Sequence, residues 1–597
     1  MNGYFGKLLR VNLTTGEIRV DPLDRQMQLD FIGGRGLGTK LFYEEVGPDV
    51  EPLSVENKLF FMTGPLTGAP VPTGGRYMVV TKSPLTGTIG SSNSGGHWGA
   101  EFKHAGYDGL VVEGKADRPV YLAIEDDNVE IRDAGHIWGK LVSQTTEILK
   151  AENPDRAKIL TIGPAGENLS YMGAIMNDVY RAAGRSGVGA VMGSKNLKAI
   201  AVRGSLKPPI ANEEALKKAN DDAIALIREN GVTSQGLPTY GSAVLVNIIN
   251  ENGILPTNNF QEGVFKDADK ISGEHMTENY LLRKDPCYRC PIACGRYVKL
   301  GDWEGGGPEY ETIWSYGSDC GVNDFEKIIE ANHWANEYGI DTISGGATIA
   351  AAMELYEKGL IKDEELDGVS LKFGDADAVV EWTKRMGERA GFGDKMADGS
   401  YRLCDSYGLP ELSMTSKKQE MPAYDPRGVQ GQGLSYATSN RGGCHVRGYM
   451  ISPEILALPV AMDRFATDGK AEMTKIFQDL TACIDSLGLC LFTSFALGAP
   501  SYAAMMSAVT GEEISPEELL KKGERIWNIE RMFNLEAGIG PDQDTLPKRL
   551  LEEPMPDGPT KGEVTRLDIL LPEYYAERGW EKGIPTDEKL TELGLKV

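Results

Sequence analysis

The chain has 597 residues, 41% apolar and 25% charged, which excludes a largely disordered protein and allows two to four domains. Its 62 basic against 87 acidic side chains give a formal net charge of -25. Such a surface repels nucleic-acid phosphates and acidic lipid headgroups, so no nucleic acid and no membrane is expected as a partner.

In chain order, residues 5 to 21 predict a hairpin, with FGKLLRVNL and EIRVD flanking the turn TTG. Strand-like runs follow at KLFFMTG, RYMVVTKS, DGLVVEG, VYLAI, AKILTIG and LKAIAVRG. Glycine is abundant among them: of 72 in the chain, 16 fall between Gly33 and Gly109. That density suggests turns with positive φ and backbone brought close to a bulky ligand, with a loop-rich β domain as the alternative. After KPP at 207 to 209, Asn212 reads as the N-cap of a helix, and helical patterns continue to about 415 through FEKIIEANHWANEYG, DTISGGATIAAAMELYEKG and AVVEWTKRMGERAG. From 416 onward, glycine-rich loops (DPRGVQGQG, NRGGCHVRG) alternate with helices, ending in a Pro-punctuated tail after 540. The expected class is α+β: a β-rich domain at 1–207, a helical domain at 208–415 and a second mainly helical domain at 416–597.

No apolar run approaches the 18 or more residues that span a bilayer, and MNGYFGKLLRVNL has neither a long apolar stretch nor a twin-arginine signal. A cytoplasmic location is expected, where cysteines serve as metal ligands, catalytic groups or buried small side chains rather than disulfides. Three of the eight, Cys287, Cys290 and Cys294, form a Cys-x-x-Cys-x-x-x-Cys run in DPCYRCPIACGRY. Three thiolates so spaced can wrap an iron-sulfur cube whose fourth iron takes a ligand from elsewhere in the chain. Zinc is the alternative, but zinc sites usually add a second close pair, and here none exists. The remaining cysteines are single: Cys320, Cys404, Cys444, Cys483 and Cys490. Cys490 closes the hexapeptide DSLGLC at 485–490, and a related hexapeptide, NEYGID, occupies 336–341. Two such turns in different regions suggest two similar small ligands gripped from two sides.

GGRGLGTKLF, TGAPVPTGGRY, GSSNSGGHWGAEFKHAGYDGLVVEG, RAAGRSGVGAVMGSKNLKAIAV, CYRCPIACGR, GGPEYETIW and DSLGLC, in that order, resemble the tungsten-containing aldehyde ferredoxin oxidoreductase family, from Met1 to about residue 500. The resemblance implies tungsten, or molybdenum, held by the dithiolene sulfurs of two pterins, with a single 4Fe-4S cluster close by. It also implies a β-rich saddle under the pterins and two mainly helical domains closing over them. Cys287, Cys290, Cys294 and Cys490 then resemble the cluster ligands. Asp485, Gly488 and Leu489 would seat one pterin, a carboxylate accepting from its amino and ring N–H groups. In the partner turn Asn336 stands where the family usually has Asp, while Ile340 and Asp341 complete the motif. Arg76 resembles an arginine lying between cluster and pterin, where a guanidinium can fork onto phosphate or sulfur. Asn93 and Ala182 match positions whose backbone carbonyls hold Mg2+ between the pterin phosphates; Gly95 and Arg181 lie beside them, and Arg447 is a further cofactor-binding position.

For the reaction, the resemblance puts Tyr310 and Glu311 in the substrate pocket and His445 beside the tungsten. Glu311 is expected to orient or deprotonate the attacking water while His445 hydrogen-bonds the oxo ligand or the substrate oxygen. Taken singly, a histidine is more often a packed structural group and a loop glutamate a solvated one. The implied activity is oxidation of aldehydes to carboxylates, with electrons passing through the cluster to ferredoxin or to a ferredoxin-like iron-sulfur subunit; a homodimer is a further expectation. The alternatives are the catalytic subunit of a tungsten-dependent benzoyl-CoA (aryl-CoA) reductase and, from another class, a non-catalytic iron-sulfur electron carrier. Two features stay open between readings: Glu330 and His333 as interface metal ligands or a surface pair, and Cys320 as a thiol near the tungsten or a buried small side chain.

Overall fold

The structure, a computed structural model, describes residues 2–596. β1 (Lys7–Asn12) and β2 (Glu17–Pro22) form the expected hairpin. With β3 (Leu59–Thr63), β4 (Tyr77–Lys82), β5 (Ile89–Ser94) and β6 (Gly109–Glu113) they make a six-stranded sheet in the order β2-β1-β6-β3-β4-β5. A second sheet holds β7 (Val120–Glu125), β8 (Asn128–Asp133), β9 (Lys158–Ile162), β10 (Ile175–Asn177), β11 (Arg181–Ala183) and β12 (Leu197–Arg203), in the order β11-β10-β9-β12-β7-β8. LFFMT of β3 is buried along its whole length because both faces of the sheet are covered. Phe60 and Met62 pack towards the helix Gly34–Glu45 with Phe42, while Leu59 and Phe61 face the other way, onto Trp98, Phe102 and the second sheet's Leu160 and Ile200. The edge strands β5 and β11 lie side by side, which brings Asn93 and Ala182 into one region.

The helical expectation holds at the points the sequence marked. The Asn212 side chain caps Glu213–Glu229 by accepting from Ala215 N at 2.9 Å. Phe325–Tyr338, Thr342–Glu357 and Ala376–Glu388 follow, then Lys470–Leu487 and Pro516–Glu536. One core runs through both helical regions, joining Trp314, Met353 and Trp382 to Leu434 and Trp527.

One part of the middle region departs from the helical reading. β13 (Leu281–Lys284), β14 (Arg296–Leu300) and β15 (Trp303–Gly306) form a three-stranded antiparallel sheet, and the cysteine motif is the loop between the first two. The strands are short and half polar, so no alternation stands out in LLRK or RYVKL. Among the described residues no helix is long and apolar enough to cross a membrane.

Candidate functional site

The cysteine loop is closed at its base by Asp285 N–H donating to Gly295 O at 2.8 Å. Within it Arg289 and Ala293 take left-handed backbone, φ 48° and 52°, which wraps the chain around the side its thiols face. Cys490 arrives from the far end of the helix Lys470–Leu487, its N–H held by Thr73 Oγ1 at 3.1 Å. Arg76 ties the two segments together: one guanidinium nitrogen lies 3.1 Å from Cys490 Sγ, the other donates to Asn93 Oδ1 at 2.6 Å, and Cys287 and Cys294 add their attraction. Arg181 Nε lies 3.4 Å from Cys287 Sγ. A Cβ on Gly95 would fall 2.9 Å from that sulfur, so only glycine permits this approach. Burial alone would raise Cys287, but Arg181 and Arg76 draw its thiol below the usual range. Burial pushes Cys290 up to about 11 and Cys294 well above the ordinary thiol value, so these two would stay protonated unless a metal displaced the proton. Among the described residues no three His, Cys, Asp or Glu side chains converge on one point as a single ion requires. A cube asks instead for one thiolate at each of four separate irons.

Beside the thiols lie two adjoining cavities, of about 370 and 280 Å3, which share Arg76, Ala182 and His445 in their walls. The smaller is lined by four guanidinium groups, those of Arg76, Arg185, Arg441 and Arg447, with Asn93 and Asp485 between them. Each hexapeptide turn borders one cavity, 336–341 the larger and 485–490 the smaller, and both are helix ends: Phe325–Tyr338 stops at Gly339 with φ 70°, Lys470–Leu487 at Gly488 with φ 85°. Asp485 accepts from Asn93 Nδ2 at 3.1 Å and from Arg447. Burial, with Arg35 and Arg441 nearby, pushes Arg447 down to about 9, and its buried Nε has no protein partner. Asp341 accepts from Arg185 Nε at 3.2 Å and caps the next helix through Ile343 N. Asn336, Ile340 and Asp341 line the larger cavity with Gly95 and Arg181. Gly488 and Leu489 line neither; they shape the turn that delivers Cys490.

The larger cavity also brings Tyr310, Glu311 and His445 together. Glu311 Oε1 lies 3.5 Å from His445 Nε2, and its Oε2 accepts from Ala423 N at 3.0 Å. Tyr310 donates its hydroxyl to Ala423 O at 2.8 Å. Burial pushes Glu311 up to about 8 despite the Ala423 bond and Arg185. Burial, reinforced by Arg185 and Arg441, pushes His445 well below its ordinary value, so its ring is neutral. Glu311 Oε1 and His445 Nδ1 are buried and have no hydrogen-bond partner.

A family model described as the N-terminal domain of aldehyde ferredoxin oxidoreductase matches residues 8–204, and one for domains 2 and 3 matches 218–595. The chain belongs to the aldehyde ferredoxin oxidoreductase family. It is 56% identical, over its whole length and 99% of the relative's, to a tungsten-containing aldehyde ferredoxin oxidoreductase of Pyrococcus furiosus. A tungsten-containing aldehyde ferredoxin oxidoreductase of Thermococcus kodakarensis is 55% identical over the same shares. A more distant relative, 33% identical over all of this chain and 97% of its own, is the WOR-like subunit of an aliphatic sulfonate oxidoreductase from Pyrococcus furiosus. Among solved structures, the active-site complex of benzoyl coenzyme A reductase with 1,5-dienoyl-CoA aligns with a TM-score of 0.87 at 27% identity, covering 100% of this chain and 97% of that one. The similarity thus extends past residue 500, where the quoted motifs thin out.

Of the two features left open, Cys320 takes the buried reading. Cys320 is buried, donating to Ser315 O at 3.2 Å, and lines neither cavity. Glu330 pairs with Lys327 at 3.0 Å, while the His333 ring packs between Trp303 and Trp334. Four residues of the site were not singled out from sequence. Arg185 and Arg441 stood inside quoted motifs, RAAGRSGVG and NRGGCHVRG, and a search for every cation beside glycine would have found them. Tyr424 and Tyr449 carry no local signal.

Proposed function

We propose that the protein oxidises aldehydes to carboxylates at a tungsten, or molybdenum, bis-pterin centre and passes the electrons through a 4Fe-4S cluster to ferredoxin or a ferredoxin-like iron-sulfur subunit. One observation carries this reading: Arg76 touches the Cys490 thiol with one nitrogen and Asn93, in the cavity wall, with the other. A cluster on Cys287, Cys290, Cys294 and Cys490 would therefore share a guanidinium with whatever the cavity holds. The cavity suits an anionic cofactor, because four arginines line it and the buried Arg447 Nε waits for an acceptor of the kind a pterin phosphate offers. Asn93 and Ala182, on adjacent edge strands, would offer backbone carbonyls to Mg2+, and Asp485 and Asp341 would accept from pterin N–H groups. When bound, the metal supplies a two-electron redox centre.

The chain's own residues handle water and protons. Aldehyde and water yield the acid, two electrons and two protons. Glu311, pushed up to about 8, exchanges a proton near neutral pH, as a general base requires. His445, neutral and 3.5 Å away, can hold a substrate oxygen or take the proton on. Ala423 N–H fixes the Glu311 carboxyl at 3.0 Å so that Oε1 points to the imidazole.

The test is an aldehyde panel with viologen reduction on anaerobically purified protein, beside metal analysis. One tungsten or molybdenum and about four irons per chain, with rapid oxidation of short or aromatic aldehydes, is the expected result. A loaded protein silent with every aldehyde but active on an aryl-CoA thioester would favour the second reading, which the likeness to the benzoyl coenzyme A reductase complex supports. Iron alone would point to an electron carrier, a role for which the Glu311–His445 pair has no use.

A further inference from the structure

Tyr424 and Tyr449 line the larger cavity beside Glu311 and His445, and they are almost fully buried. Their hydroxyls lie 2.9 Å apart, and neither makes another hydrogen bond among the described residues. Two phenols have two O–H donors, and their mutual bond uses one. The pair therefore keeps one donor to spare inside a pocket walled by Leu245, Phe492 and Phe495. A buried donor without an acceptor is costly, and sites that tolerate one usually await a ligand. The pair is also held in place: Tyr424 follows Ala423, which Glu311 and Tyr310 pin from its N–H and its C=O, and Tyr449 packs edge-on against Phe495 with centroids 5.8 Å apart. Both rings lie near His445, at 5.9 and 6.1 Å between centroids.

We propose that the Tyr424–Tyr449 hydroxyl pair is a substrate-positioning element that donates one hydrogen bond to the carbonyl oxygen of an uncharged aldehyde whose apolar body lies against Leu245, Phe492 and Phe495. This deepens the aldehyde-oxidising reading and rests on it. The donor is neutral, and burial pushes both phenols up out of the range in which they would ionise. The pair thus selects a carbonyl acceptor on an apolar group.

The test compares wild type with Tyr424→Phe, Tyr449→Phe and the double variant, all as metal-loaded enzyme. Removing both hydroxyls deletes donor and acceptor together and leaves the packing, so the double variant should fold and keep its tungsten and iron. Calorimetry with benzamide, which offers a carbonyl without reacting, is expected to give a dissociation constant raised about tenfold in the double variant and less in each single one. Toluene, with the same ring and no acceptor, should inhibit wild type and variants alike. In benzaldehyde turnover KM should rise with kcat little changed, the mark of a lost positioning contact rather than a lost chemical step. A benzamide constant unchanged in both single variants and in the double one would overturn the inference, as would an equal loss for toluene. Wild-type enzyme inert to aldehydes would instead sink the underlying functional reading, leaving the benzamide result to stand or fall alone.

Discussion

The turns at 336–341 and 485–490 share a backbone device and differ in what they deliver. Each ends a helix with a left-handed glycine and turns the chain towards the cavities. The first closes on Asp341, which holds Arg185 and caps the helix Thr342–Glu357; the second closes on Cys490, which meets Arg76. Each turn also anchors one half of the pair at the centre. Thr312, on the helix that carries Glu311, meets Thr342 Oγ1 at 2.7 Å, next to Asp341. Arg447, two residues after His445, is held by Asp485. Glu311 and His445 are thus anchored to opposite turns and meet at 3.5 Å, and of the two turns only 485–490 presents a thiol. The difference teaches that the two grips are alike in backbone but divided in chemistry.

Cys490→Ser should break that division most severely. A serine oxygen is a poor iron ligand, so iron should fall below about four per chain and aldehyde-dependent dye reduction should drop by about a thousandfold or more. Metal analysis and electron paramagnetic resonance would measure it, and a full iron complement with normal turnover would refute the ligand set. Glu311→Gln comes next. It should keep tungsten and iron and slow turnover about a hundredfold. In wild type, kcat/KM should rise with pH through about 8 as the Glu311 base form appears, and that rise should vanish in the variant. The same shift has the opposite sign for stability: the folded state favours protonated Glu311, so its contribution is full below the ordinary value of 4.5 and is lost as pH rises through about 8.

Exchanging the leading residues sharpens the comparison further. Asp485→Asn removes the charge that balances Arg447, already pushed down to about 9, and should lower tungsten retention about three- to tenfold after gel filtration. Asn336→Asp gives the first turn the same leading carboxylate and should leave retention equal or higher. A loss from Asn336→Asp as large as that from Asp485→Asn would mean the two turns do not grip like ligands.

How much of this was legible depended on whether a residue's role leaves a local mark. The β3 and β4 runs were visible because burial on both faces demands unbroken apolar stretches. β5 was not, because IGSSNS has few branched or aromatic residues; it is a strand because its neighbour β4 and the adjoining edge β11 leave it no other place. Cys287, Cys290 and Cys294 announced themselves by spacing, whereas Cys490 stood out by its likeness to the other turn and as a cluster ligand only through the family resemblance. Arg185 and Arg441 look like any arginine until the fold turns them into one cavity, and the Tyr424–Tyr449 pair exists only because segments 25 residues apart come together. Short-range pattern records the backbone device well; the side chains that meet across it are set by tertiary structure.

The smallest effects test the device itself. Gly488 and Gly339 both take positive φ, so alanine at either should cost about 1–2 kcal/mol from conformation alone. Their surroundings differ. A Cβ at 488 would fall 2.0 Å from Thr67 Oγ1, a side chain pinned by bonds to Gly64 N and Arg76 O, whereas at 339 the nearest atom, Gly163 N, is 2.9 Å away. Gly488→Ala must therefore displace Thr67, whose hydroxyl accepts from the Gly64 N–H and donates to the Arg76 carbonyl. It should lower the melting temperature more than Gly339→Ala and also disturb the cluster's spectrum, while Gly339→Ala should leave that spectrum unchanged. Thr67→Ser in the Gly488→Ala background keeps the hydroxyl, and with it the clash, so it should recover little; Thr67→Ala, which removes the clashing oxygen, should recover part of the lost stability but not the spectrum. Equal melting temperatures for the two glycine variants would mean that the turns differ only in the residues they present.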